Sequence, residues 1–170
     1  YSKAIYYAEE YASAIKNISG ENSIKYAIAM DNLASCYHNI GNLEKDILYR
    51  TISLETIDKY KNNNPIVYAA ILGNMARSLA YKGKAKQSLE INQDIIEVLK
   101  QNGINSTTTI VNNIEYKVGL GLYEEALKDI NEIIISIQKD SFSYAKLLYL
   151  KAYCSKAKNH IEESIEINNE

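Results

Sequence analysis

The segment from Ala27 to Gly41 returns 42 residues later as Ala69 to Gly83, and this return constrains the fold more than any other feature of the chain. Ala27 maps to Ala69, Met30 to Leu72, Asn32 to Asn74, Leu33 to Met75, Ala34 to Ala76, Tyr37 to Leu79 and Gly41 to Gly83. Positions 27, 30, 34 and 37 are spaced three, four and three, so each copy lays one apolar stripe along an α-helix. The glycine four residues beyond the stripe supplies the left-handed turn that ends a helix. A unit this short cannot bury its stripe alone, so copies must stack and share a core.

A second helix follows in each copy. Leu43, Ile47, Leu54 and Ile57 form one stripe, and the same shift lands on Ala85, Leu89, Ile96 and Leu99. Shifting backwards gives Ile5, Ala12 and Ile15, so the chain opens with the second helix of a partial repeat. Asn64-Pro65 predicts a helix start, with asparagine as N-cap and proline at the first helical position. Ser141 predicts another. Gly121 follows Gly83 by 38 residues, so the third copy is shorter by about one turn.

The pattern predicts helices near 2–17, 23–40, 43–60, 65–82, 84–101, 107–119, 122–138, 142–157 and 160–169. The chain then reads as a single repeat array over 1–170. It has a half repeat at about 1–19, repeats at about 20–61, 62–103 and 104–139, and a truncated repeat at 140–170. The missing initiator methionine and the ending at Asn168-Asn169-Glu170 read as an excised piece of a longer protein.

Composition agrees with helices joined by short turns: one proline and seven glycines in 170 residues. A net charge of −2 offers no basic footprint for nucleic acid or acidic lipid. No apolar run reaches the roughly 18 residues that insertion into a membrane requires. The default reading is a soluble protein, with the cytoplasm as its default compartment. Cys36 and Cys154 are too few and too distant for a disulfide framework, and a small buried apolar side chain explains each.

No phosphate loop follows a strand, since Gly119-Leu120-Gly121 lies in a turn between helices. His38 and His160 fall on different hairpins without further ligands at metal spacing, so no metal or cofactor is expected. The pairs Glu124-Glu125 and Glu162-Glu163 sit where helix starts favour negative charge and need no catalytic role. No catalytic residue is expected, and the chain reads as a non-enzyme.

Leu33-Ala34-x-x-Tyr37 with Gly41, Met75-Ala76-x-x-Leu79 with Gly83, and Tyr123-Glu-Glu-Ala126 resemble the tetratricopeptide repeat (TPR) family. The 42-residue copies resemble its longer kinesin-light-chain variety, most closely over residues 20–27 and 31–37. The resemblance implies an all-α, right-handed solenoid of stacked antiparallel hairpins. Where the family places a small alanine at the helix crossing, this chain has Ala4, Asp46, Ser88, Ala126 and Ser164. Asp46 departs from that pattern; an i,i+4 ion pair with Arg50 accounts for it, and a buried polar contact is the alternative. The third repeat also puts Asn113 and Lys117 where the family has apolar residues.

The resemblance further implies that the first helix of each hairpin lines a concave groove. Asn32, Asn74 and Asn112 recur beside the buried pairs, and a carboxamide offers both donors and an acceptor to a peptide backbone. Asp31, Ser35 and His38 join them from the first full repeat, and Arg77 and Tyr81 from the second. Arg77 beside Asn74 resembles repeats that clamp a C-terminal carboxylate, although the several lysines of such clamps are missing. Tyr149 and Tyr153 come from the fourth repeat. Fifteen tyrosines against one phenylalanine suit packing and contact alike.

These features lead to a non-catalytic scaffold that holds a protein or peptide ligand. The alternative is a regulatory segment that gates an attached kinase or DNA-binding domain. Apolar faces left uncovered at the ends would in addition favour self-association.

Overall fold

Three turns that join a leading helix to the next are closed by the same local chemistry. Gly41 takes φ of 76° and Gly83 takes 80°, a region where any other L-residue would crowd its own Cβ. The amide of Gly41 donates to the carbonyl of His38 (2.9 Å), and that of Asn42 reaches back to Tyr37 (3.0 Å). Gly83 and Lys84 repeat the pair on Ala80 and Leu79, and Gly121 and Leu122 repeat it on Val118 and Lys117. The last carbonyls of each helix are thereby satisfied as the chain reverses.

The computed structural model describes the backbone of residues 2–168 and the side chains of residues 2–159. The helices are α1 (Ser2–Ser19), α2 (Ile24–Asn39), α3 (Leu43–Ile57), α4 (Pro65–Tyr81), α5 (Ala85–Gln101), α6 (Thr107–Gly119), α7 (Tyr123–Ile133) and α8 (Phe142–Asn168). Short 3₁₀ turns, Asp58–Tyr60 and Ile134–Ser136, finish α3 and α7. All regular elements among the described residues are helical.

Capping follows the sequence in part. Ser23 accepts the amide of Tyr26, Asn42 that of Lys45 and Ser141 that of Tyr144. Asn64 precedes the helix and Pro65 opens it as expected, yet the asparagine side chain makes no cap bond.

The final segment departs from expectation. Instead of separate helices at 142–157 and 160–169, the backbone runs as one helix of 27 residues. Every turn described above places a glycine at the left-handed position, and Lys158-Asn159 offers none. A left-handed turn there would cost about 1 kcal/mol, more than continuing the helix does, so helical backbone continues. The side chains of His160, Glu162, Glu163 and Ser164 lie outside the described residues.

The residues group into two compact units, Tyr1–Asn105 and Ser106–Glu170. In the first, α2 pairs with α3 and α4 with α5 as antiparallel hairpins, while α1 packs on α2 and α3 on α4. Its cores join Ala12, Met30, Leu33 and Tyr37 between α1, α2 and α3, and Ala69, Leu72, Ile95 and Leu99 between α4 and α5. In the second, Val111, Ile114, Ala126, Ile130, Leu147 and Leu150 form one cluster among α6, α7 and α8.

The crossing positions behave as their size requires: Asp46, Ser88 and Ala126 are fully buried, whereas Ala4 is exposed. Ser88 Oγ donates to the carbonyl of Ala76 across its crossing (2.7 Å), so a hydroxyl is accommodated at no loss of pairing. The third repeat keeps its unusual register. Asn113 is buried with its Oδ1 unpaired, and Lys117 turns its ammonium to Asp129 (2.7 Å) and Glu125 (3.4 Å). Burial pulls the Lys117 pKa down, but those two carboxylates outweigh it and leave it raised.

Candidate functional site

In the first unit, α2 and α4 lie side by side as the leading helices of two hairpins, and α3 supplies the side chain that joins them. That side chain is Arg50, fully buried, at a position where the stripe Leu43, Ile47, Leu54, Ile57 has its gap. Its Nε donates to Asp46 Oδ1 (2.7 Å) and to Ser78 Oγ of α4 (3.1 Å). Nη1 pairs with Asp31 Oδ1, and Nη2 donates to Ser35 Oγ (3.2 Å), both on α2. A guanidinium presents five donors in a fixed fork, so this one group holds α2, α3 and α4 in register.

The network continues outward from that centre. Asp31 Oδ2 accepts from Asn74 Nδ2 (2.8 Å), whose Oδ1 accepts from Arg77 Nη2 (2.8 Å). Asp46 Oδ2 meets His38 Nδ1 at 2.8 Å, and the His38 ring stands edge-on to Tyr81 with centroids 5.0 Å apart. Burial pushes the Asp31 carboxyl above its usual range, and the Arg50 charge and the Asn74 amide only partly offset this. Arg77 is exposed and Tyr81 is 70% exposed, so the chain of contacts ends at the surface.

Six of the residues expected in the groove therefore meet in one place: Asp31, Ser35, His38, Asn74, Arg77 and Tyr81. The asparagine ladder takes three different forms. Asn32 is exposed on α2, Asn74 is spent on Asp31 and Arg77, and Asn112 is half-buried on α6 in the second unit. Tyr149 and Tyr153 stand on α8 in that unit, 67% and 49% exposed, with Tyr153 tilted against Tyr123 at 6.4 Å.

Arg50 and Ser78 are the members that sequence reasoning missed. The i,i+4 pair of Asp46 and Arg50 is present, and it is also the buried polar contact that stood as its alternative. The signal was there to read: a charged residue in the gap of an apolar stripe, with a second charge at the crossing four residues before it. The second repeat carries Asn92 and Ser88 at the same two places, and Gly73 in place of Asp31.

Paired helices, glycine-closed turns and buried crossings define an all-α repeat protein of the TPR-like class. Two solved structures show the same fold. The nearly identical TPR-like repeats of a protein assigned as a kinesin light chain from Podosopora anserina superpose with a TM-score of 0.80 at 11% identity. The alignment covers 99% of this chain and 83% of that one. A point-substituted form of the same repeats gives 0.81 over the same shares. No protein-family model and no curated protein matches the sequence.

Among the described residues no helix is long and apolar enough to cross a membrane.

Proposed function

We propose that the chain is a non-catalytic module that binds a protein or peptide segment on the face formed by α2 and α4. The observation that carries this reading is the network on Arg50, which reaches from a fully buried guanidinium to the exposed side chains of Arg77 and Tyr81. Burying two carboxylates and a guanidinium contributes little net stability, because desolvation offsets most of the Coulomb attraction. What the network provides is position: polar groups on two helices are held without freedom to rearrange. A surface ordered in advance loses less entropy when a ligand docks.

The face is chemically mixed in a way that suits an extended chain. Asn32 offers an exposed carboxamide, Arg77 keeps donors beyond the one given to Asn74, and Tyr81 presents an aromatic plane. A backbone amide, a carboxylate and an apolar side chain each find a counterpart there. Asn74 serves the reading indirectly, because its amide is already committed to orienting Arg77.

Selection of peptides from a random display library on the wild-type chain tests the proposal. Arg77→Ala and Tyr81→Ala, both at exposed positions, should each weaken binding of the selected peptides at least tenfold and leave the thermal midpoint unchanged. Peptides that bind both variants as tightly as wild type would place the site elsewhere.

A further inference from the structure

The two carboxylates buried with Arg50 face different ways. Asp46 turns Oδ2 to His38, whereas Asp31 turns Oδ2 to Asn74 and so toward the surface. The Asn74 carboxamide has a fixed polarity in this arrangement. Its Nδ2 donates to Asp31 (2.8 Å), which leaves Oδ1 as the acceptor for Arg77 Nη2 (2.8 Å). An amide carries its donors on one branch and its acceptor on the other, so the state of Asp31 decides which branch Arg77 meets.

A proton arriving at Asp31 has one favourable place. Oδ1 faces Nη1 of Arg50, a donor that stays charged, so the proton goes on Oδ2. There it turns the acceptor that Asn74 uses into a donor. The amide answers by turning over: its Oδ1 then accepts from the Asp31 hydroxyl, and its Nδ2 confronts Arg77, donor against donor. Arg77 loses its hydrogen bond and, in the same step, the attraction of the Asp31 charge.

The polar groups that face Asp31 are Arg50 from α3 and Asn74 and Arg77 from α4, with Ser35 of its own helix beside Arg50. Arg50 does not depend on Asp31 alone. Asp46 and Ser78 hold its Nε, and Ser35 holds Nη2, so three anchors remain when Asp31 is neutral. The proton thus changes the surface and leaves α2, α3 and α4 joined. The Asp31 side chain is 12% exposed, which lets water reach it in the folded chain. Burial raises its pKa, which moves the titration up toward neutral pH.

We propose that Asp31 is a proton switch that sets Arg77 through the Asn74 amide, an inference that rests on the reading of the α2 and α4 face as a binding surface. Ionised Asp31 holds Arg77 in place for a ligand, and neutral Asp31 lets it go. The sign follows from linkage. A ligand that needs Arg77 held favours ionised Asp31, so it lowers the Asp31 pKa when it binds, and its affinity falls as pH drops through the pKa of the free chain.

An NMR titration of the free chain tests the switch without any ligand. The Asp31 carboxyl carbon, the Asn74 side-chain amide and the Arg77 Nε–H should shift with one common midpoint. The His38 ring is followed separately, because it faces Asp46. Asp31→Asn turns an amide donor to Asn74 in place of the ionised oxygen. It should show at neutral pH the Arg77 signal that wild type reaches only in acid, with no further shift on acidification. An Arg77 signal that stays fixed while Asp31 titrates would overturn the proposal, as would an Asp31→Asn chain that keeps the neutral wild-type signal. A peptide selected at neutral pH, and weakened by Arg77→Ala, reads the consequence for binding. Its affinity should fall at least threefold across the Asp31 midpoint, and as far at neutral pH in Asp31→Asn. Affinity unchanged in both cases would overturn the switch as a control on binding. Selected peptides that ignore Arg77→Ala would sink the binding reading by itself, and the titration of the free chain would still decide the switch.

Discussion

Arg50 is one fully buried group that ties side chains of α2, α3 and α4 together. Its guanidinium answers Asp31, Asp46, Ser35 and Ser78 from three helices. Arg50→Met keeps the length of the side chain but leaves two carboxylates buried without their cation. The expected loss is about 3–5 kcal/mol, read from a denaturant midpoint. Asp31 supplies a finer measure. Its pKa is raised by burial, so the folded chain holds that proton more tightly than the unfolded chain does. Ionised Asp31 therefore costs stability, and the cost falls away as pH drops through the raised value. As pH falls from neutral into the acid range, wild type should gain stability relative to Asp31→Asn, in which this titration is absent. A difference between the two that stays flat over that range would remove burial as the dominant influence on Asp31.

The helices themselves were largely legible. Apolar spacing and glycine placement located α1 to α6 to within three residues, and α7 to within five at its end, because both signals act locally and recur. The end of α8 was not, since the expected break rested on repeat register alone and no glycine backed it. The candidate site was legible only in outline. Asp31, His38, Asn74 and Arg77 could be placed on one face by register, but their partner Arg50 sits on a different helix, and no spacing rule links residues across hairpins. The repeat also shows how the network can be replaced. Exchanging Asp31→Ala, Asp46→Ser and Arg50→Asn together removes both buried carboxylates along with the buried cation. It brings α2 and α3 close to the composition of α4 and α5, where Gly73, Ser88 and Asn92 stand. The triple exchange should recover at least half of the stability that Arg50→Met loses alone, measured by the same denaturant titration. An additive loss across the three sites would mean that the charges stabilise the fold outright. Asn92 makes the comparison instructive, because its buried Nδ2 has no partner where Arg50 has four.

At the scale of the whole molecule, the fold belongs to the TPR-like class on geometry, with 11% identity to the solved structures it matches. Such distance is intelligible in a repeat protein. Stability is summed over neighbouring contacts, so stripes of apolar residues and a few turn glycines suffice, and the remaining positions are free to vary. What distinguishes this chain is where it departs from an apolar seam, and the departure lies beneath the α2 and α4 face. Hydrogen exchange followed by mass spectrometry, with and without a peptide selected on the wild-type chain, tests that assignment most directly. The account predicts that bound peptide slows exchange within residues 24–39 and 65–81 and leaves 43–57 and 85–101 unchanged. Slowing confined to 43–57 and 85–101 would contradict it.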